Sequence, residues 1–279
     1  MRHDGKPRSR AESDVLVSDP EGGLPRLVEI MARLRDPEDG CPWDLEQTYQ
    51  TIAPYTIEEA YEVGDAIDRA AWDELPGELG DLLLQVIYFT QIGAEEGRFD
   101  FEAVANEVAD KMVARHPHIF GDESNAKSAE QQSSDWEKIK LKERAAKAQT
   151  RTLDGVTLGI PALSRAVKLQ KRAARVGFDW PEVSQVLDKL SEEAAELLEA
   201  QTAAERKEEF GDLLFVVANL ARHLDVDPEE ALRAANAKFI RRFNAIEDGL
   251  AAHGKRPEDA TLEEMDALWE AAKAVEKNG

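Results

Sequence analysis

Apolar residues recur at helical spacing along most of the chain. In the first such stretch, between residues 24 and 34, Leu27, Ile30, Met31 and Leu34 form an apolar stripe, which is typical of an amphipathic helix. A helix beginning at Thr56, which can cap it, is predicted next. The same reasoning predicts an all-α fold with helices at residues 56–70, 78–95, 101–115, 162–176, 181–201, 205–223, 228–249 and 262–275.

Two polar stretches interrupt this pattern. Residues 1–23 are polar and end on two glycines, which predicts a disordered tail. Residues 121–160 begin with a run rich in Ser, Asn and Gln, which predicts a linker, and they include a charged helix at 136–147. The order of elements on either side of the linker repeats. We therefore predict two tandem helical domains, residues 24–120 and residues 161–279.

An acidic signature also occurs twice. It consists of Glu-Glu-x-x-Glu followed, after a short gap, by Glu-x-x-Asp, and it lies at 58–62 with 78–81 and at 192–196 with 209–212. Because successive residues of a helix step by about 100°, the acids of each motif share one helix face. The gap is long enough to end one helix and begin an antiparallel neighbour. Each copy is therefore expected to direct several carboxylates into one interhelical groove.

Such a groove is costly unless cations lie among the carboxylates, because the negative charges repel one another. Oxygen-only ligands favour Mg²⁺, with Mn²⁺ as an alternative, and no Cys/His set at zinc spacing lies nearby. A single Glu-Glu-x-x-Glu motif commonly lies on a solvent-exposed helix face and binds no metal. Its combination with Glu-x-x-Asp, and the second copy of both, favour a metal site used for phosphate chemistry.

Composition narrows the possible partners and location. The net charge of −22 argues against a nucleic-acid surface, which requires clustered Lys and Arg. Cys41 is the only cysteine, so no intrachain disulfide can form, as is usual in the cytoplasm. The apolar run from Leu82 to Phe89 is far too short to span a bilayer. We expect a cytoplasmic protein that binds neither nucleic acid nor membrane.

The chain resembles the MazG family of bacterial tandem-domain nucleoside triphosphate pyrophosphohydrolases. The resemblance covers about residues 24–275 and is carried by runs at residues 33–37 (RLRDP), 40–44 (GCPWD), 52–56 (IAPYT), 77–83 (GELGDLL), 115–118 (RHPH) and 176–180 (VGFDW). It implies an all-α fold and a homodimer that assembles bundle-like active sites. It also implies Mg²⁺-dependent conversion of nucleoside triphosphates to the monophosphate and pyrophosphate.

The same resemblance implies roles for individual residues. In the C-terminal copy the metal ligands would be Glu193, Glu196, Glu209 and Asp212. The N-terminal copy would bind metal through Glu59, Glu62, Glu78 and Asp81. Contacts to the nucleotide would come from Lys189, Glu192, the segment from Glu205 to Glu208, Lys238, Arg241, Arg242 and Trp269. Trp269 would either stack on a base or belong to the core.

We expect the C-terminal copy to be the principal catalytic site. A bound triphosphate needs Lys or Arg as well as metal, and this copy has more candidates, including Lys189, Lys238 and Arg242. In the hypothesis for the mechanism, Mg²⁺ activates a water and Glu192 or Glu193 accepts its proton during attack on the α-phosphorus.

Two alternatives remain open at this point. One is a pyrophosphohydrolase specialised for dUTP, dCTP or a phosphoribosyl-nucleotide, although such enzymes usually have one domain. The other is a non-catalytic acidic helical protein whose repeats only mediate assembly. It would bind Mg²⁺ weakly and release no pyrophosphate, so a nucleotide hydrolysis assay separates the two.

Overall fold

The computed structural model describes residues 8–121, 128, 131, 132, 135, 136, 139 and 151–278, and the chain divides into two compact units, residues 1–136 and residues 137–279. The described residues form helices and no β-strand, so the all-α prediction is confirmed. None of these helices has the length and apolarity needed to cross a membrane. The division between the units falls inside the predicted linker, most of whose charged helix lies outside the described residues.

The N-terminal unit is built around a helix pair. In chain order its helices are α1 (Arg10–Ser18), α2 (Gly23–Leu34), α3 (Pro42–Glu46), α4 (Tyr49–Asp68), α5 (Leu75–Glu95), α6 (Phe101–Arg115) and α7 (Pro117–Phe120). Helices α4 and α5 pack along each other, and α2 packs on α5. Their shared core contains Met31, Ile52, Ile87, Tyr88 and Ile92. This pairing brings together the two helices that carry the first acidic signature.

Helix α1 shows that the predicted disordered tail was wrong for residues 10–18. Ser9 and Glu12 form a capping box that starts the helix. Arg33 of α2 then donates to the Asp14 carboxylate at 2.7 Å, and Arg26 Nε donates to the Val17 carbonyl at 2.9 Å. The polar composition that predicted disorder instead supplies ion pairs and hydrogen bonds to α2. Residues 1–7 lie outside the described residues.

Helix α4 begins seven residues before the predicted start at Thr56. Thr48 caps it, since its hydroxyl accepts a hydrogen bond from the Thr51 backbone N–H at 3.3 Å. Pro54 lies inside the helix, where its ring removes one backbone donor. The extra turns place Ile52 in the core with only 2% of its surface exposed, and this burial offsets the lost hydrogen bond.

The C-terminal unit repeats the helix pair. Its helices are α8 (Ala162–Ala174), α9 (Val183–Glu199), α10 (Ala203–His223), α11 (Pro228–Ala251) and α12 (Leu262–Asn278), with a 3-10 turn at Pro257–Asp259. Helices α9 and α10 pack along each other, as α4 and α5 do, and α8 packs against both α10 and α11. Helix α12 packs on α11. These bounds lie within about three residues of the predicted ones.

In the N-terminal unit an ion pair anchors the loop before the first acidic helix. The guanidinium of Arg35 is 7% exposed and donates to the Glu95 carboxylate at the end of α5 at 2.8–3.2 Å. It also donates to the backbone carbonyls of Asp44 and Gln47. The Tyr88 hydroxyl donates to the Asp44 carboxylate at 3.0 Å. These contacts fix the loop from which α4 starts.

The C-terminal unit also anchors the loop before its first acidic helix with an ion pair, but here the loop supplies the acid and the helix supplies the arginine. Here the acid, Asp179, belongs to the loop before α9, and the arginine, Arg222, belongs to the end of α10. Arg222 Nη1 donates to Asp179 Oδ2 at 2.9 Å, and Arg222 Nε donates to the Asn219 side chain at 2.9 Å. Both units therefore fix the approach to their first acidic helix before the acids begin.

Candidate metal and nucleotide site

Helices α9 and α10 bring three predicted ligands of the C-terminal copy together. Glu193, Glu209 and Asp212 each offer one carboxylate oxygen, and these oxygens lie within 4.8 Å of one another. Glu209 and Asp212 share a face of α10 because they are three residues apart. Glu193 is 5% exposed, Glu209 is half-buried and Asp212 is exposed. The cluster thus extends from the groove between the helices to solvent.

The N-terminal copy has the same geometry. Glu59 of α4 meets Glu78 and Asp81 of α5, again with one oxygen from each within 4.8 Å of the others. Glu59 and Glu78 are half-buried, and Asp81 is exposed. The convergence expected from the repeated spacing is therefore present in both units.

The fourth predicted ligand of each copy lies beside its cluster. Burial, followed by the charges of Glu196 and Glu193, raises the pKa of Glu209 above the ordinary value of a glutamate. Burial, followed by a hydrogen bond with Glu62, raises the pKa of Glu59. In both units the carboxylates repel one another, and a bound cation would relieve this repulsion.

These donor sets suit a hard divalent cation. All the donors are carboxylate oxygens, which Mg²⁺ and Mn²⁺ prefer. Six oxygens about 2.1 Å from Mg²⁺ would lie roughly 3–4 Å apart, which is compatible with three oxygens that lie within 4.8 Å of one another.

A lysine contacts the C-terminal cluster directly. Lys189 lies one turn before Glu193 on α9, and its ammonium donates to Glu193 at 2.6 Å and to Glu192 at 2.9 Å. The hydrogen bond to Glu193, and then the one to Glu192, raises the pKa of Lys189. Aligning the two signatures places Tyr55 at the corresponding position of the N-terminal copy. The C-terminal cluster therefore has a lysine ammonium beside it, and the N-terminal cluster has a tyrosine at the corresponding position.

Four further predicted nucleotide contacts lie on the last two helices, namely Lys238, Arg241 and Arg242 on α11 and Trp269 on α12. Arg242 donates to the Glu276 carboxylate at 2.7 and 2.9 Å, and its guanidinium carbon lies 5.3 Å from the centre of the Trp269 ring. Arg241 lies 3.8 Å from Glu276, and Lys238 is exposed on the same helix. These residues form one cationic and aromatic group, whereas the acids lie on α9 and α10.

Glu205 has a structural role that the sequence reasoning missed. Its carboxylate accepts hydrogen bonds from the backbone N–H groups of Gln201 and Thr202 at 2.8 and 2.9 Å. With the Thr202 hydroxyl this forms a capping box at the start of α10. The signal was present as Thr-x-x-Glu before an apolar run. Glu208 is exposed on the same helix and adds to the charge that raises the pKa of Glu209.

Comparison with known proteins places both halves of the chain among nucleotide pyrophosphohydrolases. The family profile of the MazG nucleotide pyrophosphohydrolase domain matches residues 47–120, and that of phosphoribosyl-ATP pyrophosphohydrolase matches residues 160–239. A nucleoside triphosphate pyrophosphohydrolase of Escherichia coli (strain K12) is 51% identical over 258 residues, which cover 91% of this chain and 98% of that protein. The chain belongs to the MazG family.

A second relative has MazG in its own name. The protein of Thermotoga maritima named nucleoside triphosphate pyrophosphohydrolase/pyrophosphatase MazG is 45% identical over 247 residues, which cover 88% of this chain and 94% of that protein. Each of the two matched segments contains one complete acidic signature. The MazG resemblance and the tandem pair of all-α domains are therefore confirmed.

Proposed function

We propose that the chain hydrolyses nucleoside triphosphates and their deoxy forms between the α- and β-phosphates, releasing the monophosphate and pyrophosphate. It is an enzyme of the MazG family, and two of its relatives, matched over nearly their whole length, are named for pyrophosphohydrolase activity. The structural observation that carries the proposal is the meeting of carboxylates between paired helices in both units. An assembly protein would have no need for this costly arrangement.

We assign the acidic clusters as Mg²⁺ sites, with Mn²⁺ as an alternative. When bound, the ion neutralises phosphate charge and activates a water for attack. The proposed ligands are Glu193, Glu196, Glu209 and Asp212 in the C-terminal unit, and Glu59, Glu62, Glu78 and Asp81 in the N-terminal unit.

Glu192 and Glu193 are the two residues predicted to accept the proton of the attacking water. Of these, we assign the role to Glu192. Glu193 is buried beside Glu209 and Asp212, so its oxygens are committed to holding the cation. The Glu192 side chain is 58% exposed at the edge of the cluster. It can therefore accept a proton from the attacking water and pass it to solvent.

The triphosphate needs cationic partners as well as metal. Lys189 adjoins the cluster, while Lys238, Arg241 and Arg242 provide positive charge on α11. Trp269 presents an aromatic face beside Arg242 for a base. The N-terminal copy has Tyr55 in place of Lys189, which supports the C-terminal copy as the principal catalytic site.

The proposal includes a homodimer in the cytoplasm. Helices α10 and α11 expose large apolar side chains, namely Phe210, Leu214, Phe215, Phe239 and Ile240. Exposed apolar surface of this kind is typical of association faces. The cytoplasmic location rests on the single cysteine, Cys41.

The match of residues 160–239 to phosphoribosyl-ATP pyrophosphohydrolase favours one second candidate. In it, the C-terminal site acts on a phosphoribosyl-nucleotide, whose scissile bond also joins α- and β-phosphates. The chemistry and the acidic ligands would be the same, and only the contacts to the base and sugar would differ.

A nucleotide panel tests both candidates. Pyrophosphate and orthophosphate release would be measured for each NTP, each dNTP and phosphoribosyl-ATP, with and without Mg²⁺. We expect pyrophosphate release that requires Mg²⁺ and falls at least about a hundredfold in Asp212→Asn. The matched control is Asp188→Asn, which removes an exposed carboxylate from α9 outside the cluster. Orthophosphate as the product, or no hydrolysis of any nucleotide, would refute the function.

A further inference from the structure

The contact between Lys189 and the acidic cluster raises the question of what happens to it when metal arrives. The ammonium lies 2.6 Å from Glu193 Oε1 and 2.9 Å from Glu192 Oε1, so it already bridges two carboxylates of the site. Glu193 is 5% exposed, so little solvent separates its charge from neighbouring groups. A divalent cation at Glu193 would meet strong repulsion from an ammonium at this distance.

We propose that Lys189 is an internal competitor of the metal, occupying Glu193 in the metal-free protein and leaving it when a divalent cation binds. The side chain is suited to this because it is 30% exposed and its long stem can turn towards solvent without moving α9. Metal binding to the C-terminal cluster must therefore break an ion pair first.

The N-terminal copy provides an internal comparison. Its cluster has the same oxygen geometry, but Tyr55 stands where the other copy has Lys189. No positive charge corresponds to Lys189 at that position, so a metal ion binding there does not have to displace an ammonium from the equivalent of Glu193. The proposal accordingly predicts that the N-terminal cluster binds free metal more tightly than the C-terminal cluster. The C-terminal site would then take its metal mainly together with the nucleotide.

This inference rests on the proposed metal sites and is tested by binding of Mn²⁺ alone to the full-length chain. Free Mn²⁺ would be measured by electron paramagnetic resonance in a Glu59→Gln, Asp81→Asn background, which leaves only the C-terminal cluster. Adding Lys189→Met should tighten Mn²⁺ binding about tenfold. Lys273→Met is the matched control, because it removes a lysine of similar exposure (33%) that pairs with Glu270 on α12, outside the acidic helices. It should change the affinity less than about twofold.

The reciprocal change tests the same idea in the other unit. In a Glu193→Gln, Asp212→Asn background, Tyr55→Lys should weaken Mn²⁺ binding to the N-terminal cluster several-fold. Unchanged or weaker binding in Lys189→Met would overturn the proposal. Equal tightening by Lys273→Met would also overturn it, as would no effect of Tyr55→Lys. These titrations involve no turnover. Absence of pyrophosphate release by the unaltered chain would refute the proposed function and leave this result standing on its own.

Discussion

Replacing the buried Arg35 with methionine should destabilise the N-terminal unit by about 2–4 kcal/mol. The substitution leaves the Gln47 carbonyl without this donor, at about 1–3 kcal/mol for a buried group, whereas the Asp44 carbonyl keeps the hydrogen bond from the Tyr88 hydroxyl. It also removes the ion pair with Glu95, whose side chain is 33% exposed, so solvent reduces that part of the loss. The methionine retains most of the apolar packing of the arginine stem.

Urea titration with hydrogen exchange and mass spectrometry would measure this change in each unit separately. Peptides from α4 and α5 should lose protection at lower urea, while peptides from α9 and α10 should be unaffected. The control is Arg69→Met, because Arg69 makes ion pairs of 2.7 Å with Asp65 and Glu74 on the exposed surface. That variant should leave the midpoint unchanged. A loss below about 1 kcal/mol in Arg35→Met would refute the reasoning from burial.

Three further predictions concern the acidic helices. Without metal, stability should rise as pH falls from about 7 to about 5, because the raised pKa values of Glu59 and Glu209 favour proton uptake by the folded chain. Thermal denaturation in EDTA would measure this, and a Tm that does not change with pH would contradict it. Mg²⁺ should raise the Tm with the logarithm of its concentration, and the Asp81→Asn, Asp212→Asn double variant should lose that response. Thr202→Ala should cost about 1 kcal/mol of stability in chemical denaturation, whereas Thr202→Ser, which keeps the capping hydroxyl, should cost much less.

The acidic clusters could be predicted from sequence because their geometry is local. Spacings of three and four residues fix the helix face, and a short gap between two helices makes them neighbours. Glu193, Glu209 and Asp212 therefore meet as expected. The start of α4 was predicted too late because Thr56 was assigned as the cap. Thr48 caps the helix instead, and burial of Ile52 outweighs the hydrogen bond lost at Pro54.

Other features depend on partners far away in the chain, which residue spacing does not reveal. Helix α1 is held by contacts such as Arg33 with Asp14, 19 residues apart. Arg242 was expected to face a nucleotide, and its bonds to Glu276 join residues 34 apart. The capping role of Glu205 was local and could have been found from the Thr-x-x-Glu pattern.

The two anchored loops limit how the halves of this chain can be recombined. A hybrid that joined the first loop to the second helix pair would separate Arg35 from Glu95, and the reverse hybrid would separate Asp179 from Arg222. Either exchange would leave a charged side chain of the loop without the partner that it has in its own unit. Each loop is therefore matched to its own helix pair, and the two halves are not interchangeable parts although they share the acidic signature.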